Sequence, residues 1–142
     1  MTIKFFLLAN IQGKTRLSQY YEHVAFEDRS TLESEIIRKC LMRNENQCSF
    51  LEFKDYKVIY RRYASLFFIV GVDSSENELA ILELIHNYVE ILDTCFENVI
   101  MFNLDKAHFI LDEMISNGNV VEVSKQQILD FVNLICKVDN PK

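Results

Sequence analysis

The chain has 142 residues, 49% of them hydrophobic and 25% charged, enough to bury one real core and too few for two. Its 15 Lys and Arg against 21 Asp and Glu leave a formal charge of -6, which argues against the basic stripe a nucleic-acid footprint needs and disfavours an anionic membrane for the same reason. Three glycines and one proline exclude a linker-rich or low-complexity chain. Cys40, Cys48, Cys95 and Cys136 fall at wide, irregular spacings with no C-x-x-C and no signal-peptide pattern opens the chain. These read as buried thiols in a reducing compartment, hence a cytoplasmic protein. The longest apolar stretches, Phe5 to Ala9 and Leu66 to Val72, are far short of a spanning helix, so any membrane address must come from partners.

Ile3 to Ala9 is an apolar run broken only by Lys4 and ended by Asn10-Ile-Gln-Gly13, which predicts a buried strand and a turn. Lys14 to Tyr21 returns as its hairpin partner. From Asp28, Leu32, Ile36, Ile37, Cys40 and Leu41 recur at helical spacing with charges around the other side, an amphipathic helix. Ser49 to Phe53, Tyr56 to Arg61 and Ser65 to Val72 follow, with Lys54-Asp55 and Arg62-Tyr-Ala64 between them, connections short enough only for antiparallel hairpins. The last of these strands has no polar alternation, so both its faces should be covered.

Ser75-Glu-Asn-Glu78 has the spacing of a capping box, and a long helix runs from it to about Phe96. Leu79, Ile81, Leu82, Leu84, Ile85, Tyr88, Val89, Ile91, Leu92 and Cys95 cover most of its circumference. Such a helix must be buried on several sides, by its own domain or by another chain. Asn103 is positioned to cap a third helix with Leu104, Ala107, Leu111 and Met114 inward, stopped at Asn117-Gly118. Ser124 with Gln127 repeats the capping-box spacing before a final short helix. The order β-β-α-β-β-β-α-α-α, without repeat or linker, is that of a single α+β domain over residues 1–142.

The search for chemistry returns little. Gly13-Lys-Thr15 follows a strand but lacks the upstream glycine of a phosphate-binding loop, since Leu8 stands there. His86 with Glu90 and His108 with Asp112 have i, i+4 spacing, yet each pair offers only two metal ligands. No nucleophile elbow, acid/base pair or Gly-rich cofactor fingerprint is present, so neither an enzyme nor a cofactor is expected. Lys14 and Arg16 after the first turn, and Arg61 and Arg62 at the end of the fourth strand, form a basic group in an acidic chain. They could take an acidic side chain or be ordinary solvated charges.

Several segments carry a resemblance: Lys4-Phe-Phe-Leu-Leu, Gln12-Gly-Lys-Thr-Arg-Leu, Cys48-Ser-Phe-Leu-Glu-Phe-Lys-Asp-Tyr-Lys-Val-Ile-Tyr-Arg-Arg-Tyr-Ala-Ser-Leu-Phe-Phe, Ile85-His-Asn-Tyr-Val-Glu and Phe102-Asn-Leu-Asp-Lys-Ala-His-Phe-Ile-Leu-Asp-Glu-Met. Over about residues 3 to 124 the chain resembles the small (sigma) subunits of adaptor-protein complexes. Tyr20-Tyr-Glu-His-Val and the Cys48 segment look most like the branch of the fourth complex. The resemblance implies a longin-like (SNARE-like) fold, a five-stranded antiparallel sheet flanked by helices on both faces. It also implies a heterotetramer: direct packing on one large adaptin, with a second large adaptin and a medium subunit, and indirect membrane association on the cytosolic face of trans-Golgi network or endosomal membranes. It implies, finally, a pocket for acidic dileucine signals of cargo tails, lined by Ala64, Leu66, Val89, Asn98, Val99 and Ile100, with Arg16 attracting the upstream acidic residue. The chain departs from most of the family in one place. A Cys-Glu-Leu-Asp segment usually follows the Asn-Val at the end of the long helix, whereas here Asn98-Val99 leads directly to Ile100. Two other roles on the same fold are a longin-type regulatory domain of a tethering factor or SNARE, and a coatomer zeta-type subunit. The Arg62-Tyr-Ala-Ser-Leu66 text separates the sigma reading from the first of these.

Overall fold

A computed structural model describes residues 3–43, 50–63, 66–73, 75–95, 111–112, 114–116 and 119–120, with side chains of the long helix described through Glu90. Five strands, β1 (Ile3–Asn10), β2 (Thr15–Tyr20), β3 (Phe50–Phe53), β4 (Tyr56–Tyr63) and β5 (Leu66–Val72), form one antiparallel sheet in the order β2-β1-β5-β4-β3. Helix α1 (Phe26–Leu41) joins the first hairpin to β3, and α2 (Glu78–Cys95) follows β5. β1, β5 and β4 lie inside the sheet, and β1 and β5 are the two runs without polar alternation because both their faces are covered, one by the α1 layer and the other by the α2 layer.

Alternation along the strands sorts the core into two layers. Phe5, Leu7, Val58, Tyr60, Phe67 and Ile69 cluster with Leu32, Ile36, Ile37 and Cys40 of α1. Phe6, Leu8, Ile59, Phe68 and Val70 cluster with Ile81, Leu84, Ile85, Tyr88 and Val89 of α2. Each buried Leu, Ile, Val or Phe contributes about 1.5 to 3 kcal/mol, so the sheet is stabilised from both sides. The aromatic rings Phe6, Tyr88 and Phe68 meet edge to face across the second layer, with centroids 5.4 and 6.1 Å apart.

Gly71 sits opposite Phe5 in the β1–β5 ladder, and the Phe5 ring lies where a Cβ on residue 71 would stand. At the β1–β2 turn, Asn10 Oδ1 accepts from the backbone amides of Gln12 and Lys14 at 3.0 and 2.9 Å, and Gly13 takes φ 91°. The side chain thus closes the turn that the sequence marks.

Three expectations are corrected. The capping oxygen of α2 comes from Asn77, whose Oδ1 accepts from the amides of Leu79 and Ala80 at 2.9 and 3.4 Å; Glu78, cast as the far half of a Ser75 box, accepts instead from Lys57 Nζ at 2.8 Å. β4 extends through Tyr63, which pairs with Leu66, so the Arg62-Tyr-Ala64 connection shrinks to residues 64–65. The third helix stops short of Asn117-Gly118. Leu111, Asp112 and Met114 are helical, but Ile115–Ser116 and Asn119–Val120 pair as the short antiparallel strands β6 and β7. Asn-Gly favours a tight hairpin as strongly as a helix stop, and pairing of the flanking residues decided between them. The final helix expected after Ser124 lies outside the described residues.

Candidate functional site

Antiparallel pairing gathers one set of elements at the Asn10 end of the sheet: the β1–β2 turn, the start of β2, the end of β4 and the start of β5. Across this end Asn10 pairs with Leu66, and Leu66 with Tyr63. Leu66 and Tyr63 are half-buried and lean on the α2-side cluster that contains Val89. The Tyr63 ring meets Phe68 edge to face at 5.7 Å. Val89 keeps 9% of its surface and Leu66 is more open. These residues form an apolar ledge rather than sealed core.

Arg16 reaches this end by a break in register. Leu8 pairs with Leu17 and Ala9 with Thr15, which leaves Arg16 as the extra residue of a β-bulge on an edge strand. A bulge re-aims a side chain and twists its strand, and Arg16 is exposed. β2 lies two strands from β5, roughly 10 Å across the sheet, a span that an extended peptide of three to four residues covers. The structure therefore brings Arg16, Leu66 and Val89 to one end of the molecule. Ala64, Asn98, Val99 and Ile100 lie outside the described residues.

Tyr63 does not stand out in the sequence, because Arg62-Tyr-Ala64 predicts a connection there. The signal lay in the alternation of Ile59, Arg61 and Tyr63, which puts all three on the α2 face. Arg61, paired with Phe68, is exposed on that face; Arg62 is on the opposite face, its guanidinium 5.9 Å from the Phe67 ring centroid.

The opposite end of the sheet is chemically different, because its charges pair with one another. Lys4 lies 3.6 Å from both Glu22 and Asp73. Tyr56 Oη donates to Glu22 at 3.1 Å, and Tyr20 Oη to Glu33 at 2.5 Å with the Arg29 guanidinium 4.7 Å from its ring centroid. Burial, then the bond to Glu33, pushes the Tyr20 phenol well above its ordinary value. Burial pushes the Cys40 thiol up to about 12, which makes it inert as a nucleophile. His86 and Glu90 form an exposed i, i+4 pair at 2.6 Å on α2.

No helix among the described residues is long and apolar enough to cross a membrane. The family model of the clathrin adaptor complex small chain matches residues 2–139. The chain is 78% identical over 137 residues to the AP-4 complex subunit sigma of Dictyostelium discoideum, covering 96% of this chain and 99% of that one. It is 59% identical over 141 residues to the AP-4 complex subunit sigma of Arabidopsis thaliana, with the same coverage. In structure the chain resembles one described as part of a homology model of the full-length AP-3 complex in a stretched open conformation. That match has TM-score 0.75 and 30% identity, over 98% of this chain and 96% of the other. With a family model spanning nearly its whole length and relatives this similar, the chain belongs to the clathrin adaptor complex small chain family, and its five-stranded sheet between helices is that family's longin-like fold.

Proposed function

We propose that the chain works as the small, AP-4-type subunit of a heterotetrameric adaptor complex in vesicle-mediated protein transport. It docks as one domain on a large adaptin, stabilises that subunit's trunk, and shares with it a pocket for acidic dileucine signals in cargo tails. A second large adaptin and a medium subunit complete the assembly, which sits peripherally on the cytosolic face of trans-Golgi network or endosomal membranes. The role is one of binding, with no catalytic step.

The observation that carries the cargo reading is the convergence of a bulged, exposed Arg16 with the half-open Leu66, which leans on the buried cluster containing Val89, at one end of the sheet. Two leucine side chains entering an apolar pocket contribute about 1.5 to 3 kcal/mol each before ordering costs are subtracted, which suits a weak, reversible site strengthened by multivalency on a coat. An arginine about 10 Å away favours a carboxylate upstream of the leucines.

The test has two arms. Tagged chain recovered from its own cells should bring down two large adaptins and a medium subunit in equal amounts, and recovery without any adaptin sinks the proposal. The purified tetramer should bind an acidic dileucine peptide and lose it when both leucines become alanine; equal binding of the two peptides removes the cargo role while leaving the assembly role.

A further inference from the structure

A net charge of -6 hides a strong polarity along the sheet. At the end carrying Lys4, Tyr20 and Tyr56, the acids Glu22, Asp73 and Glu78 are engaged by Lys4 and Lys57. The Asn10 end carries exposed Lys14, Arg16, Arg61 and Arg62 on the sheet. Helix α1 finishes there too: a Cβ on Gly13 would stand 3.7 Å from Leu41 and 3.9 Å from Ile37, so the β1–β2 turn and the last turn of α1 are neighbours. That last turn brings exposed Arg38, and next to it Met42 is 77% exposed; in the β1–β2 turn Ile11 is 45% exposed. Among the residues whose side chains are described, the acids nearest this end are Glu35, one turn back on α1, and Glu90, already paired with His86.

We propose that this end is a direct contact surface for the anionic phospholipid headgroups of a bilayer, with Lys14, Arg38 and Arg61 taking headgroup charge and Ile11 and Met42 entering the headgroup layer. A single acidic peptide would be met by cations converging on one point. These are instead spread over the turn, α1 and β4, and they alternate with large exposed apolar side chains, the pattern of an interfacial surface. The contact turns the ledge of Leu66 and Val89 toward the membrane from which a cargo tail emerges. The inference rests on the cargo reading for that orientation, and on charge and exposure alone for the lipid contact.

The experiment uses the intact tetramer with vesicles of neutral phosphatidylcholine, or of the same lipid mixed with phosphatidylserine, an anionic lipid of the cytosolic leaflet, and no cargo. Sedimentation should show preference for the anionic vesicles, reduced at least about tenfold in the Lys14→Glu/Arg38→Glu double variant, at about fivefold per cation lost. The single substitution Arg38→Glu, on α1 and outside the basic group around Arg16, should by itself lower vesicle binding about fivefold and still bind acidic dileucine peptide in solution, so failure of the lipid contact and failure of the cargo reading are read separately. Other subunits that bind lipid are controlled for by a solvatochromic amino acid placed at position 42 or at position 55. Its emission should shift to the blue on anionic vesicles at 42 and stay unchanged at 55. Equal vesicle binding of the double variant with no shift at 42 overturns the proposal. So does suppression of the difference by soluble poly-glutamate without any shift at 42, which would point to an acidic protein segment instead.

Discussion

The two ends of one sheet show how differently the same chemistry can be used. Both carry bulges and cations: Lys4 is the extra residue of β1 at one end, and Arg16 that of β2 at the other. Lys4 is answered within the chain by Glu22 and Asp73, and the neighbouring tyrosines are closed over by Glu33 and Glu22. Arg16, Lys14 and Arg61 stand exposed beside a half-buried ledge. Charges satisfied internally consolidate a fold for modest gain; exposed cations next to open apolar surface are positioned to act on another molecule.

The largest expected effect strikes the closed end. Gly71→Ala drives a methyl group into the Phe5 ring and should cost about 3 kcal/mol. Thermal unfolding or loss of soluble protein reads it, and a wild-type melting temperature would mean that Phe5 can move aside. At the open end Leu66→Ala should do the reverse: stability falls by only about 1 kcal/mol, since the side chain is half-exposed, while dileucine peptide affinity of the tetramer drops about tenfold. If stability and affinity fall in the same proportion, Leu66 is core and the contrast fails.

Alkali should act on the buried layers. Cys40, Tyr20, Tyr21 and Tyr88 all have raised proton affinities caused chiefly by burial. Their unfolded-state groups ionise first. The stability they contribute is therefore complete below about pH 9 and is lost as pH rises toward the folded values, about 12 for Cys40. A melting temperature that declines steadily from pH 9 to 11 checks the sign, and Cys40→Ala should flatten the start of the decline. A smaller effect of opposite sign is expected at Tyr21, whose hydroxyl is buried without a hydrogen-bond partner among the described residues. Tyr21→Phe removes that unmet group and should leave stability unchanged or raise it by up to about 1 kcal/mol. The smallest concerns Glu78, whose carboxyl is held below its usual value first by the hydrogen bond from Lys57. The contribution of this pair is present above the unfolded-state value and lost as pH falls through the folded one, so Lys57→Met should slightly soften the acid limb of the same profile.

Much of this was legible in the residues alone. The unbroken apolar text of Leu66 to Val72 determined a strand covered on both faces, because any polar residue there would have to be buried. The spacing of Leu32, Ile36, Ile37 and Cys40 determined the inward face of α1. The basic group of Lys14, Arg16, Arg61 and Arg62 was visible as composition, and Leu66, Val89 and Arg16 as matched motif positions. Local text did not separate readings of equal local energy. Asn117-Gly118 suits a helix end and a hairpin equally, and only the pairing of Ile115 with Val120 chose between them. Asn77 and Ser75 are both good caps; in the fold Asn77 supplies the capping oxygen while Glu78 accepts from Lys57, distant in sequence. Strand register brought Arg16 and Leu66 to one end, and packing of the last turn of α1 beside Gly13 brought Arg38 there; register depends on long-range pairing, where a shift of one residue moves every side chain to the other face. The sequence by itself determined which residues are apolar, charged or turn-forming; the tertiary structure decided which of them share an end, because that proximity arises from contacts between residues far apart in the chain.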